Sequence, residues 1–314
     1  MMTSSFRRGR PSFRLVLGAA LALMSMPSQA QTVPPDTPSV LEILTIATGQ
    51  RRVVATFPYL IEAPNWSRDG GTLVYNSLGR LYRIPVAGGA AQRIDTGPEI
   101  TLNNDHGLSP DGAWIAISDQ TRKESRVYVL PAAGGTPREV TPVGPSYWHG
   151  WSPDGATLAF VGLRDGAFSL YAVPVAGGAE RRLTSAKGHD DGPDYGADGT
   201  IYFNSDRSGH MHLWKMGPDG SGQTQITTDD AYGDWFPHPS PDNRQLVFLS
   251  YDGRVAGHPP GQHVRLRLLP IGAKAEPRVL ADLYGGQGTI NVSSWSPDSR
   301  EIAFVSYAEP AGKP

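Results

Sequence analysis

Short segments in which apolar positions alternate or run together recur between residues 40 and 307, each bounded by turn-forming residues. Six of them follow a Ser-Pro-Asp-Gly-like phrase and cover residues 72–76, 114–118, 157–161, 200–204, 245–250 and 301–306. Beyond the first thirty residues, no stretch shows helical periodicity over ten or more positions. The pattern therefore predicts an all-β chain of short strands.

The turn phrase repeats with a nearly constant period. Its aspartates are Asp69, Asp111, Asp154, Asp198, Asp242 and Asp298, spaced 42, 43, 44, 44 and 56 residues apart. A four-stranded propeller blade takes about 40–45 residues. Four spacings fit one blade each, and the fifth predicts an insertion around residues 252–263. In the phrase itself, Pro presets φ, Asp bonds nearby amides and Gly accepts a positive φ, as a β-turn requires.

The chain ends predict how the array closes. Residues 40–46, 48–50 and 51–55 are typical of the third strand, turn and fourth strand of a blade, while the C-terminal repeat stops after its second strand. We expect the two ends to complete one blade, because closure removes the exposed edges of an open array. The prediction is a six-bladed β-propeller over residues 40–307, with residues 308–314 as a tail.

The first thirty residues are typical of an export signal. Four arginines precede an apolar run over residues 15–26, and Ser28-Gln29-Ala30 is a small-x-small cleavage site. Twelve residues are too few for a membrane-spanning helix, which needs about 20. We therefore expect a cleaved signal over residues 1–30, a linker over 31–39, no membrane span, and a periplasmic or secreted protein.

Charge and cysteine content exclude several functions. The formal net charge is −2, and residues 1–30 hold four arginines and no acidic residue, so the remaining body is more acidic still. An acidic body repels phosphate backbones, which argues against a nucleic-acid partner. The absence of cysteine excludes disulfides, thiolate metal sites and cysteine nucleophiles.

The innermost strands should precede the turns and line a central channel. His106 and His149 lie five residues before their aspartates, and His238 is one residue off that register. Converging imidazoles could act as general acid and base or hold a divalent metal ion, and no other cofactor is indicated. The alternative is that these histidines fill the channel and bond to backbone or water.

Other residues of the same stretches are candidate ligand contacts. They are polar or aromatic, and the repeat places them at similar heights around the axis: Asn104, Asp105, Tyr147, Trp148, Asp190, Asp191, Trp235 and Asn291. Aromatic rings could stack on a sugar or clamp a peptide, whereas burial between blades is the structural alternative.

The repeated Trp-Ser-Pro-Asp-Gly, the hairpin at residues 204–209 and the Gly-Gly turns before an Arg-containing strand resemble the WD-like propeller repeat of the TolB family. The resemblance covers roughly residues 40–307 and implies the propeller fold. The separate domain that precedes the propeller in TolB proper has no counterpart in residues 31–39.

Two functional hypotheses follow. The first is an exported module that binds a protein, a saccharide or another small molecule at the channel mouth. The second is a metal-assisted lyase or hydrolase in the channel, as a resemblance in architecture to oligogalacturonate lyases implies. The sequence contains no Gly-x-Ser-x-Gly elbow, phosphate-binding loop or His-Glu-x-x-His helix, which favours the first hypothesis over an enzyme.

Overall fold

The computed structural model describes Met1 and residues 33–97 and 100–310. The predicted signal over residues 1–30 lies outside this part apart from Met1, as do residues 311–314 of the predicted tail. The described residues from 33 onward fall into one compact unit. In the described ranges no helix is long and apolar enough to cross a membrane.

Four-stranded antiparallel sheets form five of the blades, and each runs from an innermost to an outermost strand along the sequence. The first two strands of the chain, β1 (Ser39–Thr45) and β2 (Arg51–Phe57), precede them. The five blades are β3 (Glu62–Trp66), β4 (Thr72–Ser77), β5 (Arg80–Pro85), β6 (Gln92–Arg93); β7 (Leu102–Leu108), β8 (Trp114–Asp119), β9 (Arg126–Pro131), β10 (Arg138–Glu139); β11 (Ser146–Trp151), β12 (Thr157–Arg164), β13 (Ala167–Pro174), β14 (Arg181–Arg182); β15 (Asp190–Tyr195), β16 (Ile201–Ser205), β17 (His212–Met216), β18 (Thr224–Gln225); and β19 (Tyr232–Pro239), β20 (Gln245–Asp252), β21 (Gln262–Pro270), β22 (Arg278–Gly285).

The sixth blade joins the two ends of the propeller. Strand β23 (Glu301–Tyr307) pairs antiparallel with β1, which pairs with β2. The predicted closure and the six-bladed all-β class are confirmed. The innermost segment of this blade is not a regular strand. It contains a 3₁₀ turn at Gln287–Thr289 and a single β-bridge between Trp295 and Ile302.

The turn phrase works as its residues predict. In the second blade the hydroxyl of Ser109 donates to Asp111 Oδ1 at 2.5 Å, and that oxygen accepts from the Ala113 amide at 3.0 Å. Gly112 takes φ 73°. Where glycine is replaced, Asn243 and Ser299 adopt φ of 58° and 63°.

Apolar side chains pack between adjacent blades, and two of the repeated tryptophans donate hydrogen bonds to a neighbouring blade. The Trp151 indole donates to Gly107 O of the preceding blade at 3.0 Å, and the Trp295 indole donates to His238 O at 2.9 Å. Residues 253–261 connect β20 to β21 within the region predicted to hold an insertion.

Candidate channel site

Bulges in the inner strands decide where the channel side chains point. Register shifts occur in all five inner strands, for example between Trp148 and Gly150 and between Asp191 and Asp194. Ala63, Phe236 and Gly192 hold equivalent positions and take φ of 55°, 53° and 59°. A bulge adds an unpaired residue and re-aims its neighbours. Side chains at equal distances from their turns therefore point in different directions.

Asp191 is surrounded by three imidazoles from different parts of the chain. Its Oδ1 lies 3.3 Å from His149 Nε2, and its Oδ2 lies 3.6 Å from His189 Nε2 and 3.5 Å from His258 Nε2. His149 comes from β11, His189 precedes β15, and His258 belongs to the connection between β20 and β21. We call Asp191, His149, His189 and His258 the Asp191 cluster.

Mutual attraction favours the charged forms of Asp191, His149 and His189 despite their burial. Burial alone would raise the pKa of Asp191, but the three histidines hold it well below its usual range. Burial lowers the pKa of His149, yet Asp191, Asp105 and Asp194 more than offset this effect and the pKa is raised. The pKa of His189 is raised for the same reason, with Asp191 as its main partner. Opposite charges thus stabilise each other in the cluster.

Aromatic rings enclose the cluster. His149 stacks on Phe236 with ring centroids 6.1 Å apart, and His189 stacks on Phe168 at 5.1 Å. His258 meets the ring of Trp235 edge-on at 4.4 Å. The cluster therefore combines ionisable groups with flat apolar surfaces, the composition that small-ligand sites share.

A second polar network lies beside it. Asn291 Nδ2 donates to Asp105 Oδ1 at 2.5 Å and to Asn104 Oδ1 at 3.3 Å, and Asn104 Nδ2 donates to Glu62 Oε1 at 3.3 Å. Burial raises the pKa of Asp105, and it raises the pKa of Glu62 to about 7. Glu62 therefore exchanges a proton near neutral pH.

The three histidines predicted to converge do not do so. His106 pairs with Ile117 and is wholly buried, and burial lowers its pKa to about 4. His149 is the bulged residue of its own strand, so the two side chains are not equivalent. His238 Nδ1 lies 2.9 Å from Asp194 Oδ2 and its Nε2 lies 2.8 Å from Ile290 O.

The predicted metal set does not fit this geometry. Within the described part of the chain, no group of three or more His, Asp or Glu side chains is arranged to hold a metal ion. His106 is wholly buried, and both ring nitrogens of His238 already have protein partners.

The remaining predicted residues lie in varied surroundings. Tyr147 is partly exposed beside Phe168, with centroids 6.5 Å apart. Trp148 is buried, and its ring leaves no room for a side chain at Gly107. Asp190 Oδ1 pairs with Arg207 at 2.6 Å, in the hairpin that follows β16.

His189 and His258 are absent from the sequence-based candidates, and Glu62 is too. One feature of the sequence pointed to the segment that carries His258: the 56-residue spacing, which marks an insertion in its blade. Glu62 lies seven residues before Asp69, the same offset as Asn104 and Asp191.

Known proteins agree with this architecture. The TolB beta propeller domain model matches residues 109–258. The uncharacterised Agrobacterium fabrum protein Atu1656 is 51% identical over 273 residues, which cover 86% of this chain and 92% of that protein. The chain belongs to the TolB β-propeller family.

Solved structures extend the comparison. A structure from Agrobacterium tumefaciens, provisionally named TolB, has a TM-score of 0.84 and 49% identity, covering 87% of this chain and 99% of that one. TolB from Acinetobacter baumannii has a TM-score of 0.59 and 17% identity, covering 88% of this chain and 65% of that one. The second likeness concerns the fold alone.

Proposed function

We propose that this TolB-family propeller is an exported binding module whose ligand or partner segment contacts the Asp191 cluster. The observation that supports this proposal is the convergence of three histidines on one carboxylate. The rings of Trp235, Phe236 and Phe168 pack against these histidines. A fold does not fix a function, so the proposal depends on this site.

Access to the cluster supports binding. The side chain of His258 is 24% exposed and that of His189 is 37% exposed, while Asp191 beneath them is 11% exposed. A ligand that approaches these two rings meets polar nitrogens and aromatic faces together. A saccharide or a peptide segment suits such a surface, because both combine hydrogen-bonding groups with stackable or apolar faces.

Export is the second part of the proposal. It rests on the basic and apolar run within residues 1–26 and on the cleavage-like Ser28-Gln29-Ala30. We place the mature protein in the periplasm or outside the cell.

Site-specific crosslinking tests the proposal for a protein partner. A photoreactive p-benzoylphenylalanine at Tyr147 should yield a discrete adduct in cells, and the same group at Val53 on an outer strand should not.

Thermal-shift titration with neutral and uronic oligosaccharides tests the small-ligand case. His258→Ala should reduce whichever signal is found. If position 147 gives no adduct and no sugar shifts the melting temperature, the module does not bind here.

Acid–base catalysis is a second candidate, and one observation favours it. Glu62, with a pKa of about 7, contacts Asn104 and lies near Asp105, so it holds or releases a proton at neutral pH. Turnover of uronate oligomers should then be measurable and should fall about 100-fold in Glu62→Gln. An unchanged rate in this variant would assign the activity elsewhere.

A further inference from the structure

A surface groove lies where the Ser-Pro-Asp-Gly turns of the second and third blades meet. The two turns are in contact, since a Cβ placed on Gly155 would lie 3.7 Å from Pro110 Cδ. The groove has a volume of ≈ 390 Å³, within the roughly 300–1,000 Å³ of small-ligand pockets. We call it the Trp114 groove, after the tryptophan that lines it. None of its lining residues belongs to the Asp191 cluster, so it is independent of the proposed function.

Trp114 is exposed at a position where the repeat does not require an aromatic residue. It begins β8, the second strand of its blade, and is 44% exposed. The second strands of the other five blades begin with Thr72, Thr157, Ile201, Gln245 and Glu301. Four of these side chains are polar and partly exposed, and the isoleucine is buried. Because five blades form without an aromatic residue here, the ring of Trp114 is available to another molecule.

The second tryptophan of the groove has a structural role. Trp151 is 8% exposed, and its indole donates to Gly107 O of the second blade. Pro110 and Val175 line the groove as well and are partly exposed. The groove thus has an apolar wall, and Trp114 is the aromatic surface that it presents to solvent.

Both carboxylates of the groove are ionised and half engaged. Asp111 and Asp154 each accept at Oδ1 from the serine hydroxyl two residues before and from the amide two residues after, at 2.5 and 3.0 Å in both turns. These hydrogen bonds lower the pKa of both carboxyl groups. Within the described part of the chain, neither carboxylate forms an ion pair, and neither Oδ2 accepts a hydrogen bond. Both exposed oxygens therefore remain free for a ligand.

Arg68 is the lining residue of opposite charge. It occupies in its own turn the position that Pro110 and Pro153 hold in theirs, and its Cβ would lie 3.3 Å from a Cβ on Gly112. Its guanidinium is exposed and forms no ion pair with either carboxylate of the groove. The lining therefore carries two negative charges and one positive charge, and the balance favours a cationic ligand.

We infer that the Trp114 groove binds an arginine side chain from an extended segment of a partner protein. The guanidinium lies on the ring of Trp114, since tryptophan is the best aromatic partner for a cation. Asp111 and Asp154 supply the opposite charge. Arginine suits this surface because its guanidinium is planar and more weakly hydrated than the ammonium of lysine. A neutral ligand would cover both carboxylates without compensating for their lost hydration.

NMR titration of the mature chain at low ionic strength tests the inference with two capped peptides. One is glycine–arginine–glycine, and the other carries citrulline in place of arginine, which keeps the shape and removes the charge. We expect the arginine peptide to bind about tenfold more tightly, because an exposed cation–π contact and two exposed ion pairs each add a modest amount. Equal binding of the two peptides, or binding of a neutral oligosaccharide but not of the arginine peptide, would overturn the inference.

Variants of the ring localise the binding. Trp114→Thr introduces the residue that begins the same strand in two other blades, so the propeller should keep its melting temperature. Binding of the arginine peptide should weaken about fourfold. Tyr59→Thr is the control, since Tyr59 is an exposed aromatic residue outside the groove. Wild-type affinity in Trp114→Thr would place the peptide elsewhere and refute the site.

Variants of the carboxylates test the charge argument. Asp111→Asn and Asp154→Asn keep the Oδ1 acceptor of the turn, and each should weaken binding about threefold. Asp219→Asn should have no effect, because Asp219 accepts from the Ser221 amide in a turn outside the groove.

The sign of the Arg68→Gln effect separates a cation site from the alternatives. Loss of this positive charge should tighten the arginine peptide about twofold, whereas a site for an anion would bind its ligand more weakly. Weaker binding of the arginine peptide in Arg68→Gln would contradict the inference. His258→Ala should leave this binding unchanged, so failure of the groove and failure of the proposed function give different results.

Discussion

At the scale of single residues, Glu62 shows how burial sets a proton equilibrium. The carboxyl lies on the channel side of β3, where it accepts from Asn104 and approaches Asp105. Burial is the main cause of the rise in its pKa from 4.5 to about 7. The folded state therefore holds a proton between these pH values that the unfolded chain releases.

This difference predicts a pH-dependent stability. As pH rises from 4.5 to 7, wild type should lose about 3 kcal/mol of unfolding free energy relative to Glu62→Gln, which stays neutral. The loss is complete above the folded pKa and absent below the unfolded one. Urea denaturation at half-unit pH steps measures it. Glu124→Gln, at an exposed position, should follow wild type, and parallel curves for wild type and Glu62→Gln would refute the prediction.

The residues at fixed offsets from the turns predicted some of the channel side chains. They missed others because the inner strands are bulged. The offset from each turn aspartate identified Asn104, Asn291 and Asp191 as channel residues. It could not reveal the bulges, so it treated His106 and His149 as equivalent although only His149 is bulged. One extra backbone residue turns a side chain to the other face of its strand.

At the scale of elements, turn chemistry made the strands predictable. Each phrase with Ser and Asp fixes a hairpin through local hydrogen bonds, so the strand that follows begins within one residue of its expected position in most blades. The inner segment of the sixth blade is the exception. It carries Gly286 and Gly288, and Gly288 lies against Tyr307 and Glu62 with no space for a side chain. This segment is a turn instead of a strand, yet it still delivers Asn291 to the channel.

The connection between β20 and β21 was predictable as an insertion but not as part of the site. Its length appears in the repeat spacing, whereas its path depends on tertiary contacts. Tyr251 donates to Pro259 O at 3.2 Å, and His258 packs on Trp235 at 4.4 Å. Neither contact has a sequence signature.

At the scale of the whole molecule, the ring of blades is closed by a single ladder of hydrogen bonds between β1 and β23. All six blades therefore depend on this ladder. Strand β1 pairs with β23 over seven residues, from Ser39 with Tyr307 to Thr45 with Glu301. The same strand contributes Leu41, Ile43 and Leu44 to the core. The sixth blade cannot form from either end of the chain alone.

Deletion of residues 40–55 should therefore unfold the entire domain. The deletion removes all but the end residues of β1 and β2, exposes the edge of β23 and leaves its apolar face without cover. We expect loss of the cooperative melting transition, measured by circular dichroism and calorimetry. Val53→Thr, at an exposed position on β2, should melt like wild type. A deletion variant with the parental melting temperature would show that closure is dispensable.

The chain also enters and leaves the propeller at one place. The Ala308 amide donates to Pro38 O at 2.9 Å, directly beyond the ladder of β1 with β23. Any anchor, tag or neighbouring molecule attached through either flank would therefore hold the propeller at a single point, the end of the ladder where both flanks leave it.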